Sequence, residues 1–259
     1  MTTMVQQSDR SAIANGLLAS LRVLKVLIMI VRGLWLARLP YARWMPARRD
    51  EAIIAWSRQM LQALDIELVV RGAARPGPKL VVANHVSWLD IVVINAAVPS
   101  RFVSKAEVQQ WPVVGRIVTA AGTLYLQRER RRDAMRVIGL VSQALQEGDT
   151  VALFPEGTTG SGHQLLPFHA NFLQAAIDAR QPVQPMALAY SEPGHAVSRS
   201  VEFVGDTTLM QSLWRVLTAR GLKVELTILP LQAVDHADRR ALATLLASQI
   251  EDSLTHRAG

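Results

Sequence analysis

The 259-residue sequence contains no cysteine. This absence excludes disulfide bonds, thiolate metal sites and an acyl-cysteine intermediate, and it fits a reducing compartment. Three common motifs are also absent: G-x-S-x-G, G-x-x-x-x-G-K-[ST] and G-x-G-x-x-G. Without the first of these, the chain lacks the nucleophile elbow of a serine hydrolase.

Long uncharged hydrophobic runs are missing as well. Residues 12–39 are the most hydrophobic part of the chain, but the uncharged run 26–31 is far shorter than the ~20 residues that a membrane span needs. Four cations interrupt this part: Arg22, Lys25, Arg32 and Arg38. The same charges, with no small-residue cleavage site after them, argue against a signal peptide.

Residues 12–39 instead have the pattern of a basic amphipathic helix. Arg22, Lys25 and Arg32 fall within about 80° on a helical wheel, opposite an apolar side. Such a helix is expected to lie in the membrane surface rather than to cross the membrane. The aromatic residues placed as interfacial anchors are Trp35, Tyr41 and Trp44. The alternative is a helix docked on the protein's own core.

Two domains are predicted. A second helix at 48–64 would form a hairpin with the first, so residues 1–64 are interpreted as membrane-associated helices. In residues 65–259 short β-rich runs alternate with helical ones, which predicts an α/β fold with a layered β-sheet flanked by helices and with sites at strand ends. Strands are predicted at 66–71, 79–83, 101–104, 122–127, 150–154, 183–190, 200–204 and 222–229, and helices at 87–97, 108–120, 131–147, 169–179, 207–219 and 236–255.

Basic residues outnumber acidic ones, 28 to 21, which gives a formal net charge of +7. An anionic partner is therefore expected, which could be nucleic acid, a phosphorylated substrate or an acidic membrane. Aromatic residues make up only 5% of the chain, and no basic motif with interleaved aromatic residues occurs. Nucleic acid is therefore not the expected partner.

A polar cluster follows the predicted strand 79–83: Asn84 and His85 come first, and Asp90 follows His85 by five residues. A histidine oriented by a carboxylate is the usual general base near neutral pH. Residues i and i+5 lie about 140° apart on a helix, so His85 is placed in a turn and Asp90 on the first turn of the next helix. Ser87 would cap that helix, with Asp90 completing a capping box. The alternative is that these residues only cap a helix.

A second polar cluster follows the predicted strand 150–154. Glu156 could bind a hydroxyl, while Gly157 and Gly160 would let backbone N–H groups approach an anion or a developing oxyanion. The alternative is an ordinary turn, which Pro, Gly and Thr favour.

Two cations also stand at the ends of predicted strands, Lys105 and Arg128, where they could bind phosphate. His163 and His169 do not have the spacing of metal ligands, so no metal site is predicted.

Four motifs in this order resemble the glycerolipid acyltransferase family, whose bacterial type is lysophosphatidic acid acyltransferase. The family carries an N-H-x-x-x-x-D box, a downstream strand with an arginine, an F-P-E-G-T box and a V-x-P segment. In this chain they correspond to residues 84–90, 125–128, 154–158 and 183–185. The resemblance implies a mixed β-sheet flanked by helices and covers roughly residues 50–210.

The resemblance implies transfer of a fatty acyl group from acyl carrier protein or coenzyme A to the hydroxyl of a lysolipid, with no other cofactor. His85 would be the general base and Asp90 the residue that orients it, without a covalent intermediate. The residues expected to bind substrate are Asn84, Lys105, Arg128, Glu156, Gly157, Thr158, Val183 and Pro185. Arg128 would hold the head group of the acceptor, and the V-x-P segment would lie near the acyl chain. The enzyme would lie at the cytoplasmic face of the cell membrane, on an anionic surface.

The chain departs from the family pattern at one position. The family commonly continues F-P-E-G-T-R-S, in which the arginine helps to hold phosphate, whereas this chain has Thr159, Gly160 and Ser161. The expected acceptor is 1-acyl-sn-glycerol-3-phosphate, and lyso-ornithine lipid is the alternative. A membrane-binding protein without catalysis is a further alternative, but it leaves both polar clusters unexplained.

Overall fold

The computed structural model of this chain describes residues 2–39, 46–126, 131–235 and 237–256. Its helices are α1 (Thr2–Arg38), α2 (Pro46–Ala63), α3 (Leu89–Asn95), α4 (Val114–Ala120), α5 (Arg131–Gln146), α6 (Gln174–Ala179), α7 (Leu209–Thr218) and α8 (Arg239–Thr255). Its strands are β1 (Glu67–Arg71), β2 (Lys79–Ala83), β3 (Arg101–Lys105), β4 (Leu124–Leu126), β5 (Thr150–Leu153), β6 (Val183–Ser191) and β7 (Lys223–Ile228). Two short 3-10 helices, Ala106–Gln110 and Ala170–Leu173, precede α4 and α6.

The seven strands of the described residues form one mixed sheet in the order β1-β7-β6-β2-β5-β3-β4. β6 and β7 are antiparallel, whereas the other neighbouring pairs are parallel. Strands β6, β2, β5, β3 and β4 therefore end at the same edge of the sheet. The predicted α/β fold with a mixed sheet flanked by helices is confirmed.

Helices cover both faces of this sheet. Val81 and Ala83 of β2 belong to a core shared with α1, α2, α3 and α7. Leu80 and Val82 belong to a second core, shared with α5, α6 and α8. This alternation is the two-residue period of a strand, and it explains why β2 is apolar from Leu80 to Ala83 and buried throughout.

Two predicted elements are wrong in detail. Residues 200–204, predicted as a strand, form a loop in which the Phe203 carbonyl accepts a hydrogen bond from the Thr159 hydroxyl. β6 pairs with β2 on one side and with β7, predicted at 222–229, on the other. The helix predicted at 108–120 is interrupted at 111–113, because Pro112 is followed by Val113 with a φ of 70°, outside the helical region.

The N-terminal hairpin is present, but α1 is docked on the protein core. Val26 and Met29 of α1 are buried. Arg22 turns toward the protein, where its guanidinium donates to the Leu217 carbonyl at 3.0 Å and forms an ion pair with Asp65. The prediction of an outward basic side is therefore wrong for Arg22, because the end of α7 and Asp65 offer it acceptors that a helical wheel does not include.

A different side of α1 is exposed and apolar. Its large exposed residues are Leu21, Leu24, Leu27, Ile28, Val31 and Trp35. On a helical wheel they fall within about 120° of one another. No helix of the described residues is long and apolar enough to cross a membrane. Tyr41 and Trp44, predicted as anchors, lie outside the described residues, and the predicted division between residues 1–64 and 65–259 stays a prediction.

Candidate active site

The ends of β2 and β5 bring the two polar clusters together. These strands are parallel neighbours, with Val82 opposite Leu153. The loop after β2 carries His85, and the loop after β5 carries Glu156, 71 residues later in the chain. The Gly160 N–H donates to the His85 carbonyl at 2.7 Å. The two motifs therefore form one site.

His85 is oriented by a buried carboxylate. Its Nδ1 lies 2.7 Å from Oδ2 of Asp90, which stands in the first turn of α3 and is 0% exposed. A carboxylate oxygen can only accept, so in this pair Nδ1 is the donor, and a neutral His85 ring then has Nε2 as its acceptor. His85 also lines an apolar cavity of about 510 Å³, here called the main cavity. This is the arrangement of an oriented general base.

Asp90 accepts three further hydrogen bonds. The N–H groups of Val86 and Ser87 donate to Oδ2 at 2.7 and 3.0 Å, and the Tyr190 hydroxyl donates to Oδ1 at 2.6 Å. Burial, followed by the nearby Asp90, raises the pKa of Tyr190 well above its usual value, so the phenol keeps its proton and remains a donor. Tyr190 lies 100 residues after Asp90, on β6, and no local pattern in the sequence links the two.

Ser87 does not cap α3. The helix begins at Leu89, and Trp88 at the N-cap position makes no side-chain cap bond. The Ser87 hydroxyl is buried and has no hydrogen-bond partner among the described residues. The predicted capping box is therefore only half formed. Asp90 accepts from the Ser87 N–H, as a capping box requires, but the Ser87 hydroxyl caps no helix N–H, because α3 begins two residues later, at Leu89.

A phenyl ring fixes the plane of the imidazole. The rings of His85 and Phe154 stack with their centroids 3.9 Å apart and their planes 5° from parallel. Phe154 lies in turn against Phe102, with a centroid distance of 5.9 Å. Stacking and the bond to Asp90 together restrict both the tilt and the rotation of the His85 ring. The sequence identified Phe154 only as part of a motif.

Glu156 clamps the backbone of the His85 loop. Its Oε1 accepts from the His85 N–H at 2.6 Å, and its Oε2 accepts from the Leu166 N–H at 2.9 Å. Only 5% of Glu156 is exposed. Burial raises its pKa to about 7, although the two N–H groups lower it in part. Glu156 was predicted to bind a substrate hydroxyl, and the structure shows both of its oxygens bonded to the backbone of the site.

Three of the other predicted residues line the same cavity as His85: Lys105, Gly157 and Thr158. Gly157 has a φ of 72°, in the left-handed region that favours glycine, which allows the sharp turn after Glu156. Lys105 is exposed at the end of β3. Arg128 lies outside the described residues, so its predicted contact with the head group stays a prediction.

The remaining three predicted residues lie within the framework of the sheet. Asn84 is buried, and its amide donates to the Leu188 carbonyl at 2.9 Å and accepts from the Leu188 N–H at 2.8 Å. Val183 and Pro185 pair with β2 and do not line the main cavity. Asn84 therefore ties the His85 loop to β6, and the V-x-P segment supports the sheet rather than the cavity wall.

The main cavity is apolar and is lined in part by His85. The cavity has a volume of about 510 Å³, and its lining comes from α1, α2, α3, α4, α7 and the loops after β3 and β5. Examples from distant parts of the chain are Ile30, Trp56, Ile91, Ile117 and Leu213. Sequence reasoning did not find this cavity, because its walls come from segments that share no local pattern.

Comparison with known proteins gives concordant matches. The family model for acyltransferases matches residues 66–189. A 1-acyl-sn-glycerol-3-phosphate acyltransferase of Neisseria gonorrhoeae is 39% identical over 216 residues, which cover 81% of each chain. A lyso-ornithine lipid O-acyltransferase of Pseudomonas aeruginosa is 36% identical over 228 residues, which cover 84% of this chain and 87% of the relative.

The crystal structure of the 1-acyl-sn-glycerophosphate acyltransferase PlsC from Thermotoga maritima superposes with a TM-score of 0.71. The match covers 96% of this chain and 98% of that one at 20% identity, and it shows a shared fold.

Proposed function

Because this chain belongs to the glycerolipid acyltransferase family, we propose that it transfers a fatty acyl group from a thioester to the free hydroxyl of 1-acyl-sn-glycerol-3-phosphate. One observation carries the proposal: the imidazole of His85, held by Asp90, lines an apolar cavity of about 510 Å³. A base at the wall of an apolar cavity suits a reaction between a hydroxyl and an acyl chain.

The proposed mechanism uses His85 as base and then as acid. Nε2 takes the proton of the acceptor hydroxyl while the oxygen attacks the thioester carbonyl, and Asp90 stabilises the imidazolium that forms. Collapse of the tetrahedral intermediate breaks the C–S bond, and the proton passes from His85 to the departing thiolate. No acyl-enzyme is proposed, since the Ser87 hydroxyl is 0% exposed and cannot meet substrate.

The acyl donor is proposed to be acyl carrier protein or coenzyme A. Both carry negative charge, and the chain has a net charge of +7, which favours their association. Lys105, exposed beside the cavity, is a candidate contact for a phosphate of the donor or of the acceptor. Assays with each thioester, at matched acyl length, distinguish the two donors.

The choice of acceptor depends on position 159. A relative that acts on 1-acyl-sn-glycerol-3-phosphate and one named for lyso-ornithine lipid match this chain at similar identity, 39% and 36%. Thr159 lines the cavity and donates to the Phe203 carbonyl, and a threonine cannot supply the bidentate phosphate contact of an arginine. This observation favours lyso-ornithine lipid as the second candidate, while the family-wide activity favours the phosphate acceptor.

A side-by-side assay of both acceptors decides between them. For a phosphate acceptor, Thr159→Arg is expected to be tolerated or helpful, and for an aminolipid acceptor it is expected to reduce transfer. Thr159→Val is the matched control, because it removes the hydrogen bond to Phe203 without adding charge. Transfer to lyso-ornithine lipid at least about tenfold more efficient than to 1-acyl-sn-glycerol-3-phosphate would overturn the first choice.

The enzyme is further proposed to work at the cytoplasmic face of the cell membrane. The exposed apolar side of α1 supports attachment to a membrane, because its large side chains are 47–65% exposed and would gain from burial in lipid. High salt is expected to weaken membrane attachment only in part, since it screens the charges but not the apolar contact.

A further inference from the structure

Helix α7 presents two large apolar side chains to solvent. Met210 and Trp214 are 72% and 60% exposed, and they stand four residues apart, which places them on the same side of the helix. Other residues of α7 are packed: Val216 and Leu217 are buried in the core. The exposure of Met210 and Trp214 is therefore not explained by the packing of the helix.

α7 and α1 are adjacent and share one cavity. Leu209 and Leu213 of α7 line the same cavity as Val26 and Ile30 of α1. Arg22 of α1 donates to the backbone at the end of α7. Each helix thus walls the cavity with one side and exposes large apolar residues on another.

The charges around α7 match an anionic surface. Arg215, next to Trp214, and Arg220, just after the helix, are exposed, and α7 itself contains no acidic residue. One exposed carboxylate, Asp206, lies three residues before the helix, so cations still predominate around α7. Trp beside cations is the composition that binds at the headgroup level of an anionic bilayer. A protein-binding site would not need to lie beside an apolar cavity. A membrane-binding site at α7 explains why Trp214 and its neighbouring cations lie beside one.

α7 is also hydrogen-bonded to the end of the His85 loop. The indole N–H of Trp88, three residues after His85, donates to the hydroxyl of Ser212 at 3.0 Å. Ser212 is buried on α7, between the exposed and the packed sides of the helix. The position of α7 is therefore coupled directly to the start of α3, which carries Asp90.

We propose that α7 is a second membrane-binding helix, whose Met210 and Trp214 insert at the headgroup boundary of an anionic bilayer. Together with the apolar side of α1, it places the cavity against the lipid phase, where a lysolipid resides. This proposal rests on the proposed membrane placement of the enzyme. It adds an element that is about 180 residues away from α1 in the sequence.

The test measures binding of the full chain to sedimented vesicles of phosphatidylglycerol and of phosphatidylcholine. The double variant Met210→Ser, Trp214→Ser is compared with a matched control, Met135→Ser, Leu245→Ser. The control residues are 66% and 44% exposed but lie on α5 and α8, on the other face of the sheet. The double variant is expected to bind phosphatidylglycerol vesicles at least about tenfold more weakly than wild type, and the control to bind within about twofold.

Three results would overturn the proposal. These are binding of the double variant within about twofold of wild type, equal losses in variant and control, and a change of mass in solution that shows α7 to be a contact between copies of this chain. Thermal melting checks folding, and the single variant Met210→Ser keeps the test available if the double variant unfolds. Acyl transfer by the wild type to a short-chain lysolipid in solution is measured separately, so failure of the proposed function is distinguished from failure of membrane binding.

Discussion

Replacement of Glu156 by glutamine tests whether its two hydrogen bonds hold the His85 loop in place. The carboxylate bridges the His85 N–H and the Leu166 N–H, and it is almost completely buried. A carboxamide has the same shape, but it has one acceptor oxygen, so its NH₂ group must face one of the two N–H donors. Glu156→Gln should therefore loosen the loop that positions His85, and acyl transfer should fall by about 10- to 100-fold.

At higher pH the same substitution should raise the free energy of unfolding relative to wild type. Burial raises the pKa of Glu156 from 4.5 to about 7, so the folded protein binds this proton more tightly than the unfolded chain does. The stability associated with Glu156 is therefore fully present below pH 4.5 and is lost as the pH rises to about 7. At ~1.4 kcal/mol per pKa unit, the loss is about 3 kcal/mol, and glutamine, which does not titrate, avoids it.

The assay is denaturant unfolding of both proteins between pH 5 and 8, with the variant compared to wild type at each pH. The free energy of unfolding of Glu156→Gln, relative to wild type, should rise by about 2.5 kcal/mol across this range, because part of the loss in wild type already occurs below pH 5. Other titrating groups are common to both proteins and cancel to first order in the difference. If the difference in free energy of unfolding stays constant with pH, burial does not raise the pKa of Glu156 and the reasoning is refuted.

The remaining predictions concern the base, its support and the membrane side of α1. His85→Ala should lower acyl transfer by ~10²–10⁴-fold with the fold retained by circular dichroism, and more than a tenth of wild-type turnover would contradict the mechanism. Asp90→Asn should be nearly as damaging, since an amide cannot stabilise the imidazolium; near-normal turnover would remove Asp90 from the mechanism. Tyr190→Phe removes a hydrogen bond worth about 1.5–3 kcal/mol to a charged group, so it should lower kcat and shift the acidic limb of the pH profile of kcat/KM, whereas a purely structural role would leave that limb in place. Ile28→Ser combined with Val31→Ser should weaken vesicle binding without changing the fold, as judged by circular dichroism, and unchanged binding would exclude this side of α1 from the interface.

The membrane predictions use substitutions rather than removal of the N-terminal helices. Val26 and Met29 are part of the core, and Val26 and Ile30 line the cavity. Deletion of residues 1–45 would therefore open both the core and the cavity, and a loss of membrane binding would not be attributable to the exposed side alone.

Local sequence patterns predict correctly the features that depend on residues close to one another in the sequence. The apolar run of β2 requires cover on both faces, and its abrupt end at Asn84 and His85 marks the edge of the sheet. The spacing of His85 and Asp90 excluded one regular helix and placed the pair across a strand–helix turn, which the structure has. The alternation of strands and helices was likewise enough for the fold class.

Local reasoning failed where contacts from elsewhere in the fold decide the outcome. The sequence predicts Ser87 as the N-cap of α3, but the helix begins at Leu89 and the Ser87 hydroxyl has no partner among the described residues. Asp90 accepts from the N–H groups of Val86 and Ser87, and its carboxylate is also bonded to Tyr190, 100 residues away. Arg22 is a similar case, since its acceptors at Leu217 and Asp65 are distant in sequence.

The alternation of strands and helices and the positions of the base and its carboxylate can be predicted from sequence alone, because each depends on neighbours within one turn or one strand. The tertiary fold is needed to show that Tyr190 supports Asp90, that Glu156 holds the His85 loop, and that α1 and α7 line one cavity. These contacts join segments about 70 to 200 residues apart, and they form only when the parallel strands align their carboxyl ends at one edge. No short pattern of residue types and spacings predicts that alignment of the strand ends.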